Sequence, residues 1–395
     1  MELSELALAG EGELGAACLA AAEADPAHPT AAAVEALLER AWAFGASDLH
    51  ISPGPHAFRL RLRLDGVLEE LGQVPRERLP LLVQRLKVLA GLLTYRSDVP
   101  QDGRVALALN GDRCELRVSV LPTLHGEKAV VRLLGQAGPR RLEELGWPAA
   151  AGEALRGALA ARQGLVAFAG PAGSGKTTAI YAGLRALSEE GGRSLSSIEE
   201  PVEAELPGVD QTPVDRRVGL DFAQALRALL RQDPEVIFVG EVRDRETAQI
   251  AVEAGLTGHL ILTTVHAGSA CEALARLLDL HPEPGALASA LEVVFAQRLV
   301  RRRCARCAGA GGDCCRGTGF RGRLPLVEHL PLDRALRAAL AANAPADRLA
   351  ALARASGLRS LEQAGQEAVG RGETTPGELR RVLGPSPAAD AGRGA

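Results

Sequence analysis

Aromatic residues are scarce: Phe, Trp and Tyr make up 3% of the 395 residues, so any core must rest on Leu, Val and Ala within an apolar fraction of 47%. No uninterrupted apolar run reaches the roughly 18 residues of a membrane-spanning helix, so none is expected. The first residues lack the basic segment of a signal peptide and carry Glu2, Glu5, Glu11 and Glu13 instead. A basic excess is also missing. With 45 Lys and Arg against 49 Asp and Glu, the net charge of −4 gives no global attraction to nucleic acid. Cysteine is present (seven residues) but not as a secreted disulfide framework. Four fall at Cys304, Cys307, Cys314 and Cys315, a clustering that reads as a metal site in a reducing compartment.

The chain is long for one domain, and two or three are expected. Residues 1–30 read as a short leader of undetermined structure. From Ala31 to Phe44 the pattern is helical, and Ser47 to Ile51 opens a strand. Phe58, Leu60, Leu62 and Leu64 alternate with Arg59, Arg61 and Arg63, which predicts a half-buried strand with a basic face. Asp65-Gly66 marks a turn, and a helix is expected around Leu81–Leu93. Val105–Leu109, Asn110-Gly111 and Cys114–Val120 predict a hairpin. The first domain is thus α+β, over residues 31–138, with Gln136–Arg141 as a linker. In the second, 139–395, the apolar runs Leu165–Ala169, Val236–Val239 and Leu260–Thr264 alternate with helical stretches at Phe222–Leu230 and Glu246–Glu253. That alternation predicts a mainly parallel sheet. A helical region is expected over 331–383, fading into a disordered Pro/Ala/Gly terminus.

Gly170-Pro171-Ala172-Gly173-Ser174-Gly175-Lys176-Thr177 satisfies the phosphate-loop pattern in full, between a strand and a helix. Its glycines let backbone N–H groups turn onto phosphate oxygens, and the helix N-terminus adds positive potential. Lys176 can reach the β- and γ-phosphates, and Thr177 can ligate Mg²⁺. Val236–Val239 leads through Gly240 into Glu241, a carboxylate at a strand end. Because Gly240 stands where many phosphate-loop proteins carry Asp, metal support must come from elsewhere. Ile198-Glu199-Glu200-Pro201 is the candidate. His259 and His266 bracket one strand, as γ-phosphate sensors or subunit contacts.

These elements together resemble the secretion ATPase superfamily, within it the type II secretion and type IV pilus assembly ATPases, from about Ala46 to Leu383. Ser47-Asp48-Leu49-His50-Ile51, Arg63-Leu64-Asp65-Gly66, Gln101-Asp102-Gly103-Arg104 and Leu121 to Glu127 are similar to motifs of the family's second N-terminal domain. Ile198–Glu203 resembles its Asp box, Leu230–Pro234 through Asp244 its Walker B region, and Thr257–His266 its His box. The resemblance implies an α/β fold: a RecA-like ATPase domain with a preceding smaller α+β, PAS-like domain, a Cys-rich zinc module over 301–323 and a helical C-terminal tail. It implies ATP bound by Gly170 to Thr177 with Thr178, and Mg²⁺ held by Thr177 and Glu200. Glu241 and Glu199 would share metal positioning and water activation. Arg104, Arg117, Arg227 and Arg231 would neutralise the transferring phosphoryl group. It also implies zinc on Cys304, Cys307, Cys314 and Cys315.

By that resemblance the chain is a homo-hexameric, cytoplasmic motor. It would be recruited to the inner membrane by a platform protein and other secretion or pilus assembly components, with no sequence-specific nucleic acid. Pilus retraction, DNA uptake or translocation, and a regulatory ATP-binding scaffold are the rival readings. Two departures stand out. The family's Asp-box Asp corresponds to Glu200, one methylene longer, and Gly312 occupies a cysteine position, so Cys314 must substitute. The leader is also too short for the additional N-terminal domain with which many relatives dock.

Overall fold

The computed structural model describes residues 3–134, 138–281 and 283–385. The terminus expected to be disordered, from residue 386, and the first two residues of the expected linker, 136 and 137, therefore lie outside the described residues. The chain divides into two compact units, Met1–Gly138 and Pro139–Ala395.

Unit 1 runs α1 (Leu3–Ala24), α2 (Pro29–Ala43), β1 (Asp48–Pro53), β2 (Ala57–Leu64), β3 (Val67–Pro75), α3 (Leu82–Leu89), β4 (Gln101–Leu109), β5 (Asp112–Thr123) and β6 (Gly126–Leu134). Its six strands form an antiparallel sheet in the order β3-β2-β1-β6-β5-β4. The period-two pattern of β2 is realised: Phe58, Leu60, Leu62 and Leu64 are buried while the arginines face outward. Asn110 and Gly111 both adopt positive φ (51° and 88°), as a two-residue hairpin between β4 and β5 requires. One face packs against Leu37 and Leu38 of α2 and Leu82 and Leu86 of α3. Within the segment read as a leader, the described residues carry α1, interrupted at Gly12, and Leu14, Cys18 and Leu19 join this core. Their Ala- and Glu-rich surroundings carry too few large apolar side chains to announce a buried face.

Unit 2 runs α4 (Ala149–Leu159), β7 (Gly164–Ala169), α5 (Lys176–Glu190), β8 (Leu195–Glu199), β9 (Asp210–Pro213), α6 (Phe222–Leu229), β10 (Val236–Val239), α7 (Arg245–Leu256), β11 (Leu260–Val265), α8 (Ala270–Leu280), α9 (Pro284–Ala290), β12 (Leu291–Arg303), β13 (Phe320–Pro331), α10 (Arg334–Ala341), α11 (Ala346–Ala355), α12 (Leu361–Gly370) and α13 (Pro376–Leu383). The sheet order is β13-β12-β7-β11-β10-β8-β9, parallel except for the β12–β13 hairpin. Both faces are covered. Leu165, Ala167 and Ala169 enter one hydrophobic cluster, while Val166 and Phe168 of the same strand enter another. Hence β7, β10 and β11 read as unbroken apolar runs. Asp221, Asp244, Ser269, Asp333, Ser360 and Thr375 cap their helices through side-chain oxygens. Among the described residues no helix is long and apolar enough to cross a membrane.

Candidate functional site

Parallel strands β7, β11, β10 and β8 end on one edge of the unit 2 sheet, where such sheets place their ligands. β7 gives way at Ala169 to the loop 170–175, and α5 starts at Lys176. Gly170 and Gly175 are demanded by space as well as by φ. A Cβ on Gly170 (φ 152°) would stand 2.4 Å from Ser174 Oγ and 2.7 Å from the Gln297 carbonyl. One on Gly175 (φ 91°) would stand 2.5 Å from Gln297 Nε2. Lys176 folds back onto the loop, its Nζ donating to the carbonyls of Gly170 (2.7 Å) and Pro171 (2.9 Å). Burial lowers its pKa to about 8, with nearby Glu241 opposing the shift.

Ser174 Oγ is buried without a hydrogen-bond partner, and α5 has no side-chain cap. An orphan hydroxyl, an uncapped helix N-terminus and a cradle only glycine allows fit a polyphosphate. Thr177 is half-buried, whereas Pro171, Ala172, Gly173 and Thr178 are exposed.

The carboxylates differ sharply in their surroundings. Glu199, at the end of β8, is 2% exposed and accepts from Tyr181 Oη (2.5 Å), Ser197 Oγ (2.7 Å) and Gln211 Nε2 (3.1 Å). Burial and the adjoining Glu199 charge raise the Tyr181 pKa strongly, keeping the phenol a donor. Glu200 is more open and receives a bidentate Arg216 (2.9 and 3.2 Å) with Arg243 at 3.4 Å. Glu241, beyond β10, meets Arg243 at 2.7 Å and His266 Nε2 at 3.2 Å. A Cβ on Gly240 would lie 3.0 Å from the Ile198 carbonyl, tight enough to disfavour the Asp other phosphate-loop proteins place there. Glu200, Glu241 and Thr177 offer the hard oxygen donors that Mg²⁺ requires.

His266 joins this cluster, whereas His259 precedes β11 at the opposite edge and contacts the Ala254 carbonyl at 3.1 Å. A six-residue strand separates them by about 20 Å. Arg227 pairs with Glu246 of α7 (2.6 Å), and Arg231 donates to the Arg227 carbonyl (2.7 Å). Arg104 and Arg117 are exposed cross-strand partners on β4 and β5 of unit 1, and Arg132 of β6 stands in register beside them. The sequence reading missed Arg216, Arg243 and Tyr181. Only Arg243 had a signal, two residues beyond Glu241 and so on the same side of an extended segment.

The four cysteines lie on the loop between β12 and β13. Their sulfurs all fall within 4.8 Å of one another, with Cys304–Cys314 at 3.6 Å and Cys307–Cys315 at 3.5 Å. Tetrahedral zinc with bonds of about 2.3 Å spaces its sulfurs about 3.8 Å apart, so the set can hold such an ion. Backbone hydrogen bonding at Gly312 brings the Cys307 thiol down to about 6, and Gly319 N donates to Cys315 Sγ at 3.3 Å. The tight turn over Asp313–Cys315 aims the adjacent Cys314 and Cys315 at different partners, Cys304 and Cys307.

Residues 23–382 match the family described as Type II/IV secretion system protein. Type II secretion system protein HxcR of Pseudomonas aeruginosa is 42% identical over 364 residues, spanning 90% of this chain and 77% of that protein. Type IV pilus assembly ATPase PilB of Thermus thermophilus is 37% identical over 374 residues, 88% of this chain and 42% of PilB. Among solved structures, the Legionella pneumophila ATPase DotB superposes with a TM-score of 0.70 at 21% identity, covering 88% of this chain and 94% of that one, a likeness of fold.

Proposed function

The chain belongs to the type II/IV secretion system protein family, and from that premise we propose that it is an ATP-hydrolysing motor, a homo-hexamer that powers pilin-like subunit assembly in a type II secretion or type IV pilus machine. The observation that carries this reading is the edge of unit 2. There a phosphate cradle, an uncapped helix N-terminus and the Glu241–His266 pair meet at neighbouring strand ends.

The chain's own residues supply the chemistry. Lys176 exchanges its loop carbonyls for phosphate oxygens, and Ser174 Oγ and the backbone N–H groups of the loop take the rest. Thr177 and Glu200 would hold Mg²⁺, which offsets phosphate charge when bound. Glu241 receives the proton of the attacking water, oriented by His266, and Arg243 moves from Glu241 toward the phosphates. Glu199 is the weaker base because its oxygens already accept three hydrogen bonds. Arg227 and Arg231 would complete the neutralisation of the phosphoryl group in the assembled ring. Cys304, Cys307, Cys314 and Cys315 would hold a zinc ion, which would tie the β12–β13 loop together when bound.

Assembly would draw on unit 1, where Leu81, Val88, Leu93, Tyr95, Leu121 and Leu124 are exposed within residues 81–124. Recruitment to the inner membrane would run through a platform protein and other components of the machine.

Lys176→Ala tests the reading. Hydrolysis of MgATP should fall by at least about a hundredfold in a variant that still folds. Turnover near the parent level would refute it.

A further inference from the structure

β12 pairs in parallel with β7 as far as Ala296 opposite Ala169, so the next residues of β12 run beside the phosphate loop instead of a strand. Gln297 backs that loop. Its carbonyl approaches Gly170, its Nε2 approaches Gly175, and its Oε1 accepts from Trp147 Nε1 at 3.0 Å. Arg298 then reaches the neighbouring strand end. Its Nη2 donates to the Gly268 carbonyl at 2.8 Å while its Nη1 donates to the Gln297 carbonyl at 3.0 Å. The Gly268 N–H is held in turn by Glu272 Oε2 at 2.6 Å. Gly268 is thus fixed at both its donor and its acceptor, two residues beyond His266, which touches Glu241.

Arg298 is also unusual in its charge. It is half-buried, and among the described residues it forms no ion pair with a carboxylate. Burial lowers its pKa, with Glu328 and Glu272 opposing from a distance. A guanidinium drawn from water and given only carbonyl partners costs stability. Surface packing would favour an apolar residue or a paired charge here, so a half-buried cation at the root of an anion cradle has a use.

We propose that Arg298 is a positioning residue for hydrolysis, fastening the 266–268 segment to the strand behind the phosphate loop so that His266 and Glu241 stand in register with the triphosphate. This rests on the ATPase reading above. The arginine acts through Gly268 and His266, not by touching the reacting atoms, so its loss should appear in the turnover step. A displacement of a catalytic group by about 1 Å costs up to a hundredfold in rate.

The test is a double-mutant cycle on the full chain with MgATP: Arg298→Met, His266→Ala and both together, with Arg298→Lys as the conservative variant. Fluorescent-nucleotide binding and kcat are read for each. Arg298→Met should lower kcat about tenfold while nucleotide affinity changes less than about twofold. The double variant should be no slower than the slower single one, because both break one chain of contacts. Arg298→Lys, which keeps a donor for the Gly268 carbonyl, should recover most of the rate. Multiplicative losses in the double variant, or a loss confined to affinity, would overturn the proposal. Should Arg298→Met fail to fold, Arg298→Ala takes its place in the cycle with the same expected and overturning outcomes. Lys176→Ala run in parallel separates the two claims: its inactivity upholds the ATPase reading whatever Arg298 does.

Discussion

The two units bury charge in different places. In unit 1, charges answer one another inside the fold. Lys87 of α3 and Glu127 of β6 meet at 2.7 Å with almost no exposure, and Asp48 of β1 takes Arg132 and Arg63 from the strands on either side. In unit 2, charge is gathered at the strand ends: Lys176 after β7, Glu199 and Glu200 at β8, Glu241 after β10 and His266 after β11. An antiparallel sheet with one open face can pair charges along its whole length. A parallel sheet covered on both faces has apolar strands, and only its ends remain for polar groups. The buried pairs of unit 1 therefore maintain the fold, whereas the groups at the strand ends of unit 2 stand ready for a phosphate and its metal ion.

The largest way to break that contrast is to remove Lys87. Breaking a buried pair from one side leaves the other charge uncompensated, at a cost of about 3–5 kcal/mol. Lys87→Ala should destabilise the chain by that amount in urea unfolding, whereas Lys87→Met with Glu127→Leu should recover most of it. A double variant as unstable as the single one would show that unit 1 needs the charges themselves.

Next comes a charge in unit 2 that behaves like those of unit 1. Glu378 of α13 is 3% exposed and binds Arg301 of β12 through both the backbone N–H (2.9 Å) and Nε (3.1 Å), with Arg381 beside it. Burial alone would raise its pKa, but the hydrogen bonds from Arg381 and Arg301 outweigh it and hold the group at about 2, against 4.5 ordinarily. A depressed folded-state pKa stabilises above the unfolded value and loses that contribution as pH falls toward the folded one. About 3 kcal/mol should therefore disappear between pH 4.5 and about 2. Glu378→Gln should lower stability at neutral pH and flatten that acid limb. An unchanged limb would remove Glu378 from the account.

What was legible in the sequence follows the same division. The β2 alternation, the Asn110-Gly111 turn and the apolar runs of β7, β10 and β11 are local patterns, and each stands where its pattern placed it. The phosphate loop is equally local, eight consecutive residues. By contrast β12 and β13 carry no clean alternation, because much of each is buried on both sides. The Gln297 and Arg298 backing lies more than 120 residues from the loop it supports, so only strand order reveals it. His259 and His266 look equivalent from their spacing, but a strand has polarity, and only the C-terminal end meets Glu241. Arg216 lies beside Glu200 because β9 runs parallel to β8 and ends level with it, leaving the following turn next to the β8 end, a proximity no spacing encodes.

Glu241 sharpens the comparison from the catalytic side. Glu241→Gln should lower kcat by about a hundredfold, roughly 2.7 kcal/mol of barrier, with nucleotide still bound. Its stability should stay within about 1 kcal/mol of the parent, since active-site charges are seldom kept for the fold. A large loss of stability with it would place Glu241 among the fold-maintaining charges typical of unit 1.

The smallest expected effect on stability lies on the surface of unit 2. Arg227 and Glu246 join α6 to α7 at 2.6 Å, but both side chains are at least half exposed. Such a pair contributes under about 1 kcal/mol, because solvent screens it and two long side chains must be ordered. Arg227→Ala and Glu246→Ala should therefore melt alike, and close to the parent. Hydrolysis by the assembled protein separates them: Arg227→Ala should lose about tenfold and Glu246→Ala almost nothing, since only a guanidinium can offset phosphoryl charge. In that case the Glu246 contact is a resting place for an arginine with work elsewhere. Equal losses would instead make the pair a strut between two helices, and Arg227 would join the charges that serve only the fold.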